Sequence, residues 1–136
     1  MKRVYLAGPP FADEYRSRAA RLLRDRGCEP VDPMRRDFRG RTQGNEAEIV
    51  EGDLAEIGSC DAVLAAFTAP DEGTAMEAWH AHTLGTPVVA YTGGTPAHPW
   101  TIYVSDRVCG ARGRGRRGLR VARYSGRIPA SIQLGY

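Results

Sequence analysis

Three short runs of nearly uninterrupted apolar residues, at 3–8, 61–67 and 86–91, are the most restrictive feature of this sequence. Each has the length of a strand rather than a helix. None alternates with polar residues as a strand with one wet face does, so the pattern belongs to strands covered on both faces. Longer stretches with helical spacing lie between them. Tyr15, Ala19, Leu22 and Leu23 recur among arginines and acids up to Gly27, which predicts an amphipathic helix. A second helix is expected over about 45–58, with Ala47, Val50, Leu54 and Ile57 on one stripe, and a third over 73–84. Residues 28–32, closed by Pro33, read as a short strand, and 34–45 as a long polar loop of the kind that carries function or moves. Residues 92–99 form a Gly/Pro loop, and 100 to about 108 a last helix or irregular segment. Strands alternating with helices across short connections predict an α/β fold: a single Rossmann-like or flavodoxin-like domain, its parallel sheet covered by helices on both faces.

The formal net charge of +3 conceals an asymmetry. Residues 110–136 hold seven arginines and no acid, leaving twelve basic and sixteen acidic side chains in the rest. The domain is therefore expected over 1–109, with 110–136 a basic Arg/Gly-rich extension. The pI of about 9.0 describes that extension, so nucleic-acid binding is not the expected function; a poorly packed tail is preferred to a basic arm for RNA. No apolar run approaches the roughly 20 residues that span a bilayer, and the first residues lack the longer apolar region and cleavage site of a secretory signal. A cytoplasmic protein without membrane association is expected. Cys28, Cys60 and Cys109 are odd in number and widely spaced, which argues against a disulfide framework and a zinc site.

In open parallel sheets, ligands bind at the carboxyl ends of the strands. Those ends are Gly8-Pro9, Asp32-Pro33, 68–72 and 91–94, and acids gather there: Asp32, Asp37, Asp71, Glu72, and Glu77 one helical turn further on. Gly73 and Thr74 fall in the first turn of a helix, where free backbone N–H groups hold an anion or hydroxyl. Glu77 shares a face with Thr74, Ala78, Ala81 and Leu84, a small and apolar stripe that should pack on the sheet and pin the carboxylate at the cleft. Such a carboxylate can attack an anomeric carbon. On position alone, favourable placement at the positive end of a helix explains Glu77 as well; the stripe favours function. Asp53 lies at the edge of the second helix's apolar stripe, where a site role and a surface ion pair are equally good readings. Tyr5 stands among aliphatics, and alone reads as a core tyrosine with one hydrogen bond. The loop with Arg35, Arg36, Asp37 and Arg39 offers guanidinium forks for a phosphate, or an aspartate for a sugar or base, set against an ordinary solvated charged loop. His80 and His82, two apart on a helix, point in different directions, so no metal site is expected. No Gly-x-Gly-x-x-Gly follows the first strand, and no cofactor is expected. Met76, Trp79 and Thr83 form a second stripe on the third helix, suited to an oligomer face or to a core.

Taken in order, Tyr5-Leu6-Ala7-Gly8-Pro9, Asp53, Asp71-x-Gly73-Thr74-x-x-Glu77 and Gly85-x-Pro87-Val88-Val89 resemble the nucleoside 2-deoxyribosyltransferase family. The stretch DPMRRDFRGR at 32–41, with Ile49-Val50-Glu51-Gly52-Asp53, is similar to a small bacterial and phage branch of it, and the likeness covers about 3–106. The resemblance implies a flavodoxin-like domain that forms a homo-oligomer and acts on nucleosides or nucleotides. It implies Glu77 as nucleophile forming a covalent glycosyl-enzyme, Tyr5 orienting it, and Asp71 binding a sugar hydroxyl. Asp53 would hold the base and protonate it, and Gly8, Pro9, Gly73 and Thr74 would line the substrate site with Arg36 and Asp37. Related enzymes hydrolyse nucleoside monophosphates using serines and arginines around the phosphate, so transferase and hydrolase stand as alternatives, beside a non-catalytic nucleotide-binding module in which Glu77 only hydrogen-bonds a ribose. The residue that a neighbouring subunit supplies near the C-terminus in the transferases has no clear match; Ser105 and Asp106 are the nearest.

Overall fold

The computed structural model describes residues 1–110; the basic extension from residue 111 onward lies outside the described residues. Five parallel strands run in the order β2-β1-β3-β4-β5: β1 (Arg3–Ala7), β2 (Glu29–Val31), β3 (Ala62–Ala66), β4 (Val88–Tyr91) and β5 (Arg107–Cys109). Four helices connect them: α1 (Asp13–Asp25), α2 (Glu46–Gly58), α3 (Glu72–Thr83) and α4 (Pro99–Val104). This is the flavodoxin-like order, with its switch point between β1 and β3.

The apolar runs are central strands, as their composition requires. Along β1, Val4 and Leu6 face α1, packing with Ala19, Ala20 and Leu23. Tyr5 and Ala7 face the opposite way, into a layer with Val63, Ala65, Ile57, Ala78 and Ala81. Small residues at Ala65, Ala78 and Ala81 let α3 pack on the sheet, and Tyr5 brings a hydroxyl into that otherwise apolar cluster. Gly27 and Gly85, at φ +72° and +74°, follow the ends of α1 and α3 in the left-handed conformation that terminates helices.

Three expectations are corrected. The segment after residue 98 is neither one helix nor irregular: α4, capped by His98 Nδ1 on the Trp100 N–H at 3.2 Å, gives way to strand β5. The α2 stripe does not form as expected, for only Ile57 is buried while Val50 is 52% exposed. The helix packs chiefly against α3 rather than across the sheet, so only its C-terminal end at Ile57 enters the core. Leu84 lies beyond the last turn of α3 and is exposed rather than on its packed stripe.

Candidate active site

Tyr5, Asp53 and Glu77 come from three different elements and converge at one place. Tyr5 projects from β1 towards α2 and α3; Asp53 hangs from α2 one turn before Ile57; Glu77 sits on the second turn of α3. Tyr5 Oη and Glu77 Oε2 are both buried without a direct hydrogen bond of good geometry, although the hydroxyl lies near enough to Glu77 and Asp53 to interact with each. Two buried polar oxygens side by side without a well-formed hydrogen bond are costly for a fold to keep, and such groups concentrate where a ligand is handled.

Electrostatics point the same way. Burial above all pushes the Glu77 carboxyl up to about 8; the Tyr5 hydroxyl and the Arg16 guanidinium oppose this, while the charges of Asp53 and Asp71 add to it. Burial likewise raises the Asp53 carboxyl, against the pull of Arg36. The Tyr5 hydroxyl is driven far above its ordinary range by burial and then by Glu77, so it stays protonated and acts as a hydrogen-bond donor.

Asp71 is the N-cap of α3, its Oδ2 accepting from the Thr74 N–H at 2.8 Å and Oγ1 at 2.6 Å. This fixes the first turn, where Gly73 lies beside the acids: a Cβ there would sit in ordinary contact with Asp71 Oδ2 at 3.5 Å and Glu77 Oε1 at 3.8 Å. Gly8 and Pro9 form the rim after β1. They are held by Arg16, a residue that the sequence reading passed over and the largest fully buried side chain of the domain. Its guanidinium donates to the carbonyls of Pro9 at 2.7 Å, Pro10 at 3.1 Å and Gly8 at 3.3 Å, and pairs with Asp13.

Arg36 and Asp37 are placed differently from each other. Arg36 is drawn into the cleft wall, donating to Asp53 Oδ1 at 2.8 Å and to Glu56, a second carboxylate that the sequence reading missed. Asp37 is exposed and bound to Arg39 at 2.6 Å, with no interaction leading to Glu77. A cavity of about 570 Å³ adjoins the cluster through Asp71, walled by Phe67, Pro70, Trp79, Trp100 and Val104. Tyr5, Asp53 and Glu77 do not line it; they form a separate buried cluster, in which Tyr5 Oη and Glu77 Oε2 lack a well-formed hydrogen bond and Asp53 Oδ1 accepts from Arg36. Among the described residues no three His, Cys, Asp or Glu side chains converge to hold a metal ion, and no helix is long and apolar enough to cross a membrane.

Comparison with solved structures gives two informative likenesses. A 2-deoxyribosyltransferase from Bacillus psychrosaccharolyticus superposes with a TM-score of 0.67 at 24% identity, covering 79% of this chain and 85% of that one. A CMP N-glycosidase from Clostridium botulinum superposes with a TM-score of 0.57 at 20% identity, over 80% and 87% of the two chains. These likenesses establish the shared fold. No curated protein sequence matches significantly. The sequence profile described as nucleoside 2-deoxyribosyltransferase matches residues 4–121, and on that match the chain belongs to the nucleoside 2-deoxyribosyltransferase family.

Proposed function

We propose that this protein is a nucleoside 2-deoxyribosyltransferase, an enzyme that breaks and re-forms the N-glycosidic bond of (deoxy)nucleosides through a covalent glycosyl-Glu77 intermediate. The observation that carries this reading is the buried Tyr5–Glu77 pair, flanked by Asp53 and Asp71, with the Glu77 carboxyl pushed up to about 8 by its burial. In the proposed reaction Glu77 Oε2 attacks the anomeric carbon as the bond to the base nitrogen breaks. Asp53, held partly towards its protonated form by burial, gives a proton to the departing base, because a base leaves poorly as an anion. Tyr5 donates to the nucleophile and fixes its direction, and Asp71 Oδ1 receives a sugar hydroxyl. An incoming base then attacks the glycosyl ester, returns a proton to Asp53 and frees Glu77.

The related reading, hydrolysis of nucleoside 5′-monophosphates, needs cations free to meet the phosphate. Arg35, Arg36 and Arg39 are each engaged by carboxylates: Arg35 by Glu56, Arg36 by Asp53 and Glu56, Arg39 by Asp37 and Asp13. Separating such pairs costs more than meeting a ligand with an unengaged cation, so uncharged nucleosides are favoured. Chromatography of deoxynucleosides and of their monophosphates, each with and without a free acceptor base, tests this. A new nucleoside formed only when acceptor is present is expected. Base release from monophosphates alone would replace this reading with the hydrolase.

The same reading includes a homo-oligomer. Met76, Trp100 and Tyr103 are 70%, 68% and 70% exposed on α3 and α4. Trp79–Trp100 and His82–Tyr103 ring contacts, at 5.7 and 5.4 Å, tie the patch together. Contiguous aromatic surface of this kind marks interaction sites. Light scattering after gel filtration should give a multiple of 14.9 kDa, and Trp100→Glu should shift it towards the single chain; a wild-type mass of one chain would remove the oligomer from the proposal.

A further inference from the structure

Gly52 stands in the interior of α2 with no left-handed backbone to require it. Glycine is among the poorest residues for such a position, so its presence needs a cause. The cause lies above it. A Cβ at residue 52 would lie 2.8 Å from Arg36 Cζ and 3.2 Å from Nη2, and would run into Nη1. The Arg36 guanidinium therefore occupies the space that a side chain at residue 52 would fill. From there its Nη2 donates to Asp53 Oδ1 at 2.8 Å and reaches Glu56 Oε2 at 3.2 Å, while Nε donates to Glu56 Oε1 at 3.3 Å.

We propose that Arg36 is a positioning residue that fixes the Asp53 carboxylate at the edge of the cleft, and that residue 52 is glycine so that the guanidinium can reach it. The planar fork bridges two carboxylates one helical turn apart, which a lysine ammonium cannot do with the same geometry. It also offsets charge where Tyr5 from β1, Glu77 from α3 and Asp53 and Glu56 from α2 come together. The inference deepens the proposed function, since it rests on Asp53 handling the base. It reassigns Arg36 from substrate ligand to a holder of the group that meets the substrate.

Gly52→Ala tests this without altering any charged residue. In an Arg36→Ala background, alanine at 52 should raise the melting temperature by about 4 °C, the ordinary gain for a helix interior. With Arg36 present that gain should be cancelled, because the methyl group displaces the guanidinium. An equal rise in both backgrounds would overturn the clasp. Carbon-13 titration of the Asp53 carboxyl, assigned against Asp53→Asn, needs no turnover. Its midpoint should move up in Gly52→Ala and in Arg36→Ala, because the opposing cation has gone. An unmoved midpoint would leave Arg36 a mere staple. With an exchange substrate, Gly52→Ala should lower kcat/KM by about tenfold or more, and Arg36→Lys should lower it likewise because an ammonium cannot bridge both carboxylates; full activity in either would overturn the positioning role. A wild type that turns over no nucleoside would sink the functional reading while leaving the melting and titration results to decide the clasp.

Discussion

Glu77→Gln is expected to lose base exchange by at least about 1,000-fold and, at the same time, to make the protein more stable at neutral pH. The first effect follows from the proposed covalent step, since an amide of the same shape cannot form the glycosyl ester. The second follows from linkage. The Glu77 carboxyl is held at about 8, against an ordinary 4.5, so the fold favours its protonated form. Below the ordinary value the carboxyl is protonated in both folded and unfolded chains and nothing is lost. As pH rises from there through about 8, the unfolded chain ionises first, and the folded state loses stability that it does not recover above 8. A glutamine, neutral throughout, removes that loss, a gain of about 1–3 kcal/mol at pH 7.5 and almost none at pH 4.5. Urea melts of wild type and Glu77→Gln at the two pH values read the difference directly. The nucleophile must be ionised, so wild-type kcat/KM for exchange should rise with pH through about 8. A Glu77→Gln protein with wild-type exchange would end the nucleophile assignment, and one with no gain in stability at pH 7.5 would show that the carboxyl is not held protonated.

How far this arrangement was legible in the sequence differs residue by residue. The runs at β1, β3 and β4 identified themselves because strands buried on both faces must be apolar throughout. Glu77 stood out because its helical neighbours Thr74, Ala78 and Ala81 are small, and all three are buried. In contrast, β5 is Arg107-Val108-Cys109, three half-buried residues beside Asp106, with no apolar run to reveal them. It is a strand only because Val89, Ala90 and Tyr91 pair with it, and pairing of distant segments leaves no local mark. The α2 stripe failed for the related reason that helical spacing says which residues share a face but not whether anything lies beneath it. Asp53 was placed beside the site, but its hold by Arg36 joins residues 17 apart. The signal that existed was Gly52, a lone glycine in a helical pattern.

Arg16→Met should cost about 3 kcal/mol of stability, a large part of the margin of a small domain, and should lower the urea midpoint with an unchanged denaturant slope. The spacing carried a clue to this residue, since Arg16, Ala19, Ala20 and Leu23 lie at i, i+3, i+4 and i+7 on one face of α1, and all four are buried. A guanidinium at the head of an apolar stripe is retained inside a fold only when most of its donors are met. Here Nη1 and Nη2 are met by the carbonyls of Gly8, Pro9 and Pro10 and by Asp13, while Nε makes no hydrogen bond and is offset only by the charge of Asp32, whose Oδ1 lies 3.6 Å away. Methionine fills a similar volume but offers no donor, so the carbonyls that β1 delivers to the cleft rim lose their shared partner. The loss is moderated because Asp13 and Asp32 are partly exposed and Pro9 O also accepts from the Ala12 N–H at 2.9 Å. Arg16→Lys should fall between the two, keeping the charge but not the fork that spans three carbonyls. The rim that Arg16 holds carries Gly8 and Pro9, so a folded Arg16→Lys should also bind nucleoside more weakly, seen as a rise in KM larger than the fall in kcat. Wild-type stability in Arg16→Met would mean that the loop after β1 holds its own shape, and that the buried guanidinium is a guest of the fold rather than its clamp.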